Sequence, residues 1–411
     1  MRIIELTEKQ FSNYSKIHSQ RNLFQTIEYA KSQEIYGFKT LYLGLIDSKD
    51  NLLGATLLLM QKTLKIYKIG YVPGGYLINY NDYELLNNFT KYLKKYLVKN
   101  KYIYIRTNSL INIKEYDNEL NIKKDNSIII KNLKKLKYQF INLDNNFFKY
   151  KTIIENDDKK NIYKNLKRNV KRNIKDSLKK GIIIEQGNIN DIDKLYYLVR
   201  KKDKKNINYY KNIMNNFNNK YNNAEIYFSK LDIRKYLSNY MYLLRKEEEY
   251  NDKLNNELLY SKNEKTVIKK MNSDKLINKY NQEIKEASKL LNNQNEILLS
   301  GSLIIRNNKE ILFFTSGFED KFRNIRSKEL LTWEIIKKYS DLGYKIFNLG
   351  SLSNNIKDKK DKYYGYNKFK LDFNGKIIEY SEVFDLVINE FLYNLINITK
   401  IFNLKKKDLN K

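Results

Sequence analysis

The sequence predicts an α/β (α+β) protein of two tandem units with similar layouts, the second interrupted by an antiparallel helical hairpin. Three observations predict this fold class. Short apolar strands mix with amphipathic helices in the first 150 residues, and a similar order returns after residue 151. Between 232 and 296, a stretch rich in lysine, glutamate and asparagine contains no glycine or proline. The length of 411 residues suits two or three domains.

The first unit is predicted from its apolar patterning. Residues 41–46 and 52–60 form apolar runs around a polar turn, which indicates two neighbouring strands. Residues 83–98 carry apolar side chains at the spacing of one helix face, and 102–106 reads as a further strand. Their order predicts a mixed α/β layer.

The second unit repeats these signals. The predicted elements are a basic helix over 162–180 ending at Gly181, strands at 182–185 and 225–230, a hairpin of 299–305 and 311–315 around Asn307 and Asn308, a helix over 328–342, and a strand at 345–349. The similar order indicates two copies of a related unit.

Residues 232–296 are predicted to form a coiled-coil arm. Apolar residues recur at alternating spacings of three and four, a pattern typical of coiled coils; they are Leu237, Tyr240, Leu244, Leu254, Leu258 and then Ile277, Tyr280, Ile284, Ala287, Leu291. Two helices of about 28 residues would reach roughly 42 Å. The alternative is a helical pair packed flat on the second unit. The predicted domains are therefore 1–150, then 151–231 with 297–395, the arm at 232–296, and a basic tail at 396–411.

Cysteine is absent and His18 is the only histidine, which restricts the possible chemistry. Disulfides, a cysteine nucleophile and thiolate metal sites are excluded. A catalytic triad or a multi-histidine metal site would depend on His18 alone. We therefore predict neither a metal site nor a covalent enzyme intermediate.

The net charge of +31 favours anionic partners such as nucleic acid, anionic lipid headgroups or a pyrophosphate substrate. Lysine, asparagine, isoleucine and tyrosine are enriched together, however, which an A/T-rich genome also produces. The N-terminus does not resemble a signal peptide, and no run of about 18 apolar residues is present. The prediction is a cytoplasmic protein, with peripheral contact to the inner face of the membrane left open.

Residues 368–373 alternate between apolar and polar side chains. This pattern predicts a strand with Phe369 and Phe373 on one face and Lys370 and Asp372 on the other. Asn374 and Gly375 follow as a hairpin turn signal.

Several blocks, taken in order, resemble the FemABX family of aminoacyl-tRNA-dependent peptidyltransferases. The blocks are Phe24 and Gln25 with 29–31, then 52–59 with 70–76, 165–175 with Gly181, 313–317, 333–336, 343–350, and 365–373. The resemblance covers about residues 20–395, and the last block is the most specific. It implies two GNAT-like acyltransferase domains, and in some members a coiled-coil arm inserted in the second.

The resemblance also implies an activity and its partners. A family member moves an amino acid, usually glycine, alanine or serine, from aminoacyl-tRNA to the stem-peptide amine of lipid II or a UDP-linked muropeptide precursor. Aminoacyl-tRNA is the co-substrate and no further cofactor is implied. The expected partners are these two substrates, the inner membrane face, and a homologous Fem-type protein.

Site residues are carried over from the matching blocks. Lys370 matches the family's functional lysine, where a cation would hold a phosphate of the tRNA end or stabilise an oxyanion; the alternative is a solvated lysine. The residues expected at the substrates are Lys31, Gln25, Phe24, Tyr364, Tyr366 and Phe369, with Arg168 and Arg172 for tRNA. Helix capping by Gln25, packing of the tyrosines and solvation of the other cations remain alternatives. Asp372 and Glu319 are the carboxylates considered as proton acceptors.

The chain departs from the family pattern in three places. Pro73 is followed by two glycines and Tyr76 where the family often has P-R-G-P, and Asn108 replaces an aspartate. Lys204 and Lys205 lie near the position of a usual arginine. These differences bear on the choice of precursor or donor more than on the reaction class.

Two other functions compete with this interpretation. An acetyl-CoA acetyltransferase would need a glycine-rich turn at a helix N-terminus for the CoA pyrophosphate, and 323–333 contains no glycine. A non-enzymatic RNA-binding or scaffold protein would suit the basic charge and the arm, but it would not need the block at 365–373.

Overall fold

A computed structural model of the protein describes residues 1–141, 148–156, 159–201, 205–221, 223–260 and 263–396. The residues form two β-sheets surrounded by helices. The twelve α-helices of these segments are α1 (Glu8–Ile17), α2 (Ile27–Glu34), α3 (Tyr83–Lys99), α4 (Ile128–Lys135), α5 (Lys159–Asn165), α6 (Arg168–Lys179), α7 (Ile192–Val199), α8 (Ile207–Tyr221), α9 (Ile233–Tyr260), α10 (Glu264–Leu291), α11 (Ser327–Asp341) and α12 (Tyr364–Leu371). Within these segments, no helix combines the length and apolarity that crossing a membrane requires.

The first sheet has seven strands. They are β1 (Arg2–Glu5), β2 (Lys39–Ile46), β3 (Leu52–Thr63), β4 (Tyr67–Gly74), β5 (Tyr102–Ser109), β8 (Tyr138–Phe140) and β16 (Phe384–Val387), in the spatial order β1-β2-β3-β4-β5-β16-β8. The remaining strands are β6 (Asn112–Tyr116), β7 (Ile122–Asp125), β9 (Tyr150–Glu155), β10 (Ile182–Gly187), β11 (Ala224–Asp232), β12 (Glu296–Asn307), β13 (Glu310–Phe318), β14 (Ile346–Leu352) and β15 (Lys376–Tyr380). They form a nine-stranded sheet in the order β10-β11-β12-β13-β14-β9-β15-β6-β7.

The two sheets repeat one topology, as the sequence predicts. In each, four antiparallel strands are followed by one parallel neighbour: β4 pairs in parallel with β5, and β13 with β14. One helix connects each parallel pair, α3 in the first sheet and α11 in the second. The prediction of two related α/β units is therefore confirmed.

Strands also cross between the units. β6 and β7 come from the first 150 residues but lie in the second sheet, while β16 from near the C-terminus lies in the first. The domain boundaries drawn from the sequence remain a prediction, and 397–411 of the predicted tail lie outside the described residues.

One apolar core lies between the units and fixes how they face each other. Phe11 and Leu57 of the first unit belong to the same buried cluster as Leu195, Ile213 and Phe228 of the second. Burying such side chains contributes roughly 1.5–3 kcal/mol each. The walls of any site between the units are therefore held by packing.

Helices α9 and α10 form an antiparallel pair of 28 residues each, which agrees with the predicted hairpin. The rings of Tyr240 and Tyr280 stack edge to face at 5.8 Å between the two helices. At the base, Lys180 donates to the hydroxyl of Tyr236, while at the far end Leu259 and Tyr260 are 80% and 91% exposed. The base packs on the second unit and the end reaches solvent; coiled-coil supercoiling remains a prediction.

Most local predictions are confirmed. The strands, the helices α3 and α11, and the hairpin around Asn308 lie where the patterns place them. Gly181 ends α6 with a φ of 75°, as expected for a helix-terminating glycine. The polar turn at 47–51 is held by the Asp47 carboxylate, which accepts from the backbone of Lys49 and Asn51.

Two element predictions are wrong. The basic helix predicted over 162–180 is two helices, because Lys167 is extended (ψ 150°) and donates its N–H to the carbonyl of Asp372. The strand predicted over 368–373 is wrong, because residues 368–371 are the last turn of helix α12 and 372–373 follow it in a turn. Six alternating residues are too few to distinguish a strand from a helix, and Asn374, with a φ of 61°, turns the chain from α12 towards β15 rather than closing a hairpin.

Candidate functional site

A cavity of about 1640 Å³ opens between the two units. Residues of β13 and β14 line it where these strands diverge, since the two strands pair over only three residues. The segment before α2 contributes to one wall, and the other lining elements include β6, β9, β13, β14, β15, α6, α11 and α12. The wall residues include Phe24, Lys151, Arg172, Phe313 and Lys370. The protein therefore presents a deep cleft to which both units contribute.

Lys370 lies in this cleft and is only 5% exposed. Its Nζ donates to the carbonyl oxygen of Ser351 and to the hydroxyl of Tyr366, both at 2.7 Å. Gly350 has a φ of 83°, and a Cβ there would approach the same nitrogen to 3.2 Å. The glycine therefore keeps space open beside the amine, and the interpretation of Lys370 as a solvated lysine is wrong.

Helix α12 is fixed by polar contacts on its inner side. The buried side chain of Asn367 accepts from the backbone of Ser353 at 2.9 Å and donates to its hydroxyl at 2.7 Å. Asp372, which follows the helix, accepts from Lys368 at 2.8 Å and from Asn169 at 2.6 Å. These bonds hold the backbone on both sides of Lys370.

The environment of Lys370 disfavours its charged form. Burial lowers the pKa of its ammonium well below the ordinary lysine value, and the nearby cations Lys328 and Lys151 lower that pKa further. Burial also lowers the pKa of Lys151 to about 8, with Glu310 acting in the opposite direction. Burial thus disfavours the charged forms of Lys370 and Lys151, which share one end of the cleft with Lys328.

Lys151 was not predicted as a site residue. It lies on β9 opposite Ser351, whose carbonyl accepts the hydrogen bond from Lys370. Its Nζ stands 4.9 Å from the ring centroid of Tyr380 and 6.0 Å from that of Phe24. Lys151 therefore lies between Phe24, in the first-unit wall of the cleft, and the central strands of the second sheet.

Gln25 lies behind the cleft and holds its wall. The ladder between β3 and β4 stops at Leu59 and Tyr71, and the Gln25 side chain fills the gap beyond it. Its amide donates to the carbonyl of Pro73 at 2.6 Å and accepts from the N–H of Leu57 at 2.7 Å. The helix-cap alternative is wrong, because Thr26 caps α2.

Replacing Gln25 with alanine should destabilise the protein by about 2–4 kcal/mol, because the Leu57 N–H and the Pro73 carbonyl would be buried without partners. Urea unfolding of the two proteins measures this difference. Gln282→Ala, which changes an exposed glutamine on α10, should shift stability by less than about 0.5 kcal/mol. Equal stability of the wild type and the Gln25→Ala variant would contradict the wall-holding role.

The structure brings five of the nine predicted site residues to the cleft. Phe24, Tyr366, Phe369 and Arg172 line it together with Lys370. Gln25, Lys31, Tyr364 and Arg168 do not line it. Lys31 instead pairs with Glu8 at 3.1 Å on the surface of the first unit. Arg168 and Arg172 do share α6, as their spacing predicts, and both are exposed.

Three carboxylates of the cleft differ in their fitness to accept a proton. Asp372 is engaged by Lys368 and Asn169. Tyr197 donates to Glu319 at 2.6 Å and so lowers the pKa of that carboxyl, which makes it a weaker base. Burial raises the pKa of Glu329, whose oxygen accepts from Asn173 at 2.9 Å.

Lys151, Lys328 and Glu329 are therefore the site residues that sequence reasoning missed. Each is one of many lysines or glutamates, and β9 itself was not predicted. Lys205, near the position where the family has an arginine, lines the cleft, whereas Lys204 lies outside the described residues. Across the described ranges, no group of three or more histidine, aspartate or glutamate side chains is placed to hold a metal ion.

Comparison with known proteins identifies the family. The sequence model of the FemAB family matches residues 6–401. Aminoacyltransferase FemA of Staphylococcus epidermidis is 23% identical over 426 residues, covering 99% of this chain and 100% of the relative. Aminoacyltransferase FemA of Staphylococcus aureus is 22% identical, covering 96% and 97% of the respective chains.

The fold has a counterpart among solved structures. The crystal structure of FemX superposes with a TM-score of 0.72 at 18% identity, covering 96% of this chain and 100% of that one. The shared architecture agrees with the α/β class predicted from the sequence. By these relationships the protein is an aminoacyltransferase, and the chain belongs to the FemAB family.

Proposed function

We propose that the protein transfers glycine, alanine or serine from aminoacyl-tRNA to the stem-peptide amine of lipid II or a UDP-linked muropeptide precursor. The observation that carries this proposal is the buried amine of Lys370 in a cleft formed by both units. The donor ester and the acceptor amine would meet beside Lys370.

The reaction needs alignment and proton transfer rather than a protein nucleophile. The donor ester is already activated, so the acceptor nitrogen attacks its carbonyl carbon and the ribose oxygen leaves. A chain without cysteine is compatible with such a direct transfer. The volume of the cavity also supports a transfer between two large substrates, since about 1640 Å³ exceeds the volume of most small-molecule sites.

The charge of the cleft suits anionic substrates. Eleven lysines and arginines line it against six carboxylates. Arg172, Arg323 and Arg326 belong to this set, and arginine is well suited to phosphate groups. We assign this side of the cleft to the 3′ end of the tRNA, with Phe24, Tyr366 and Phe369 at the acceptor peptide.

Two further parts of the proposal concern location. A lipid-linked acceptor would require peripheral contact with the inner membrane face, which the net charge of +31 would favour through anionic lipids. The transferred amino acid would build the interpeptide bridge of peptidoglycan, and a homologous Fem-type partner would add further residues of that bridge.

A transfer assay tests the proposed function. Purified protein is incubated with tRNAs charged with glycine, alanine, serine or a control amino acid, and with lipid II or the UDP-linked precursor. We expect one amino acid to appear on the precursor by mass spectrometry, with none formed when uncharged tRNA is used. No incorporation from any charged tRNA into either precursor would overturn the proposal. Acetylation of the precursor from acetyl-CoA would favour the rival acetyltransferase function instead.

A further inference from the structure

The amine of Lys370 has only neutral hydrogen-bond partners among the described residues. The Ser351 carbonyl and the Tyr366 hydroxyl accept from it, and no carboxylate of the described segments lies within 4 Å of its nitrogen. A buried ammonium ordinarily requires a paired carboxylate, because the desolvation of its charge is otherwise uncompensated. The environment of Lys370 therefore suits an uncharged amine.

Two other amines approach Lys370 from separate elements. Lys328 extends from α11, with its Nζ 4.3 Å from the ring centroid of Phe369, and Lys151 extends from β9. Both disfavour a positive charge on Lys370. The other titratable groups lining the cleft on these elements include Glu310 on β13, Tyr380 on β15, Glu329 on α11, and Tyr366, Lys368 and Asp372 on or beside α12; Glu310 acts on Lys151. The charges that act on Lys370 itself are positive.

We propose that Lys370 enters the reaction as an uncharged amine that takes the proton of the attacking amino group, and that Lys151 and Lys328 keep it uncharged until then. The inference rests on the proposed function and adds a role for each of the three amines. Lys370 is the catalytic residue, and Lys151 and Lys328 are positioning residues that act through it.

The proton balance of the step closes without another reagent. The acceptor nitrogen forms a bond to the ester carbon, and its proton passes to the lone pair of the Lys370 amine. Lys370 is then an ammonium at the moment when the carbonyl oxygen becomes negative, which is when a cation beside it is most stabilising. The C–O bond to the ribose breaks as the intermediate collapses, and Lys370 returns the proton to the ribose oxygen.

The proposal predicts the direction of a pH effect. A lysine is uncharged above its pKa, so transfer should increase as pH rises through the pKa of Lys370. Removing a neighbouring positive charge raises that pKa, because the ammonium becomes less disfavoured. The rise in transfer should then move to higher pH.

The experiment measures the pH dependence of kcat for transfer between pH 5.5 and 8.5 in the full-length protein. We expect Lys151→Met and Lys328→Met each to move the rise by on the order of one pH unit to higher pH. Lys151→Arg should not move the rise to higher pH, since its guanidinium stays charged throughout this range. Lys149→Met is the matched control and should also keep it, because Lys149 is two residues away and pairs with Glu379 at 3.0 Å.

A second variant tests whether Lys370 acts as a base or as a permanent cation. Lys370→Arg carries a guanidinium that cannot accept a proton, and we expect no transfer at any pH in a folded protein with a wild-type melting profile. The inference would be overturned by substantial transfer with Lys370→Arg. It would also be overturned if the pH profiles of wild type, Lys151→Met and Lys328→Met were superimposable. In either case, transfer by the wild type would still uphold the proposed function. Loss of the rise in Glu329→Gln alone would assign the base to Glu329 and overturn it too. A wild-type protein without any transfer would overturn both.

Discussion

Lys370→Ala should reduce aminoacyl transfer by about 10²–10⁴-fold, the usual loss when a group that moves a proton is removed. The amine is buried in the cleft, and its two hydrogen bonds fix its position. Its removal leaves the rim of the cleft unchanged. We therefore expect the affinity for aminoacyl-tRNA to stay within about twofold, as measured by filter binding alongside single-turnover transfer.

Lys360→Ala provides the control for this prediction. Lys360 is an exposed lysine ten residues earlier in the chain, and it does not line the cleft. Its replacement should leave the transfer rate unchanged. If Lys370→Ala transferred as fast as Lys360→Ala, the active centre would have to lie elsewhere; if it lost tRNA affinity in step with activity, Lys370 would be a tRNA-binding residue.

Local patterns predicted most of the fold because most elements bury one regular face. The apolar face of α3, with Leu86, Phe89 and Leu93 fully or almost fully buried, repeats at helical spacing that can be read directly from the chain. The error at α12 has the opposite origin. That helix buries the polar side chains of Lys370 and Asn367 and leaves Tyr366 partly exposed. The positions of its apolar residues therefore do not repeat at the spacing of a buried helix face.

The candidate site was harder to predict because its residues converge from distant positions. Lys151, Lys328 and Lys370 lie on β9, α11 and α12, and their proximity depends on the order of strands in the second sheet. The family resemblance singled out Lys370 alone. Nothing in a single sequence distinguishes Lys151 from the other lysines, since its burial follows from the position of β9 between β14 and β15.

The pairing of Arg106 with Asp385 ties the C-terminal strand to the first sheet. The two residues are opposite each other on β5 and β16, and the guanidinium donates twice to the carboxylate, at 2.9 and 2.8 Å. Asp385 is fully buried, and Tyr393 donates to the same carboxylate at 2.9 Å. Such a bidentate pair fixes geometry, and its loss would leave a buried negative charge.

Arg106→Met should therefore lower the free energy of unfolding by about 3–5 kcal/mol, because within the described segments the carboxylate of Asp385 would keep only the hydrogen bond from Tyr393. Urea unfolding of wild type and variant measures the loss. Arg2→Met removes an ion pair of similar length, 3.0 Å to Asp50, but the side chains of that pair are 66% and 71% exposed. This control should change stability by no more than about 1 kcal/mol.

The double variant Arg106→Met with Asp385→Leu should recover much of the loss in stability, since it removes the isolated charge. Equal stabilities of Arg106→Met and Arg2→Met would show that Asp385 tolerates burial without its partner.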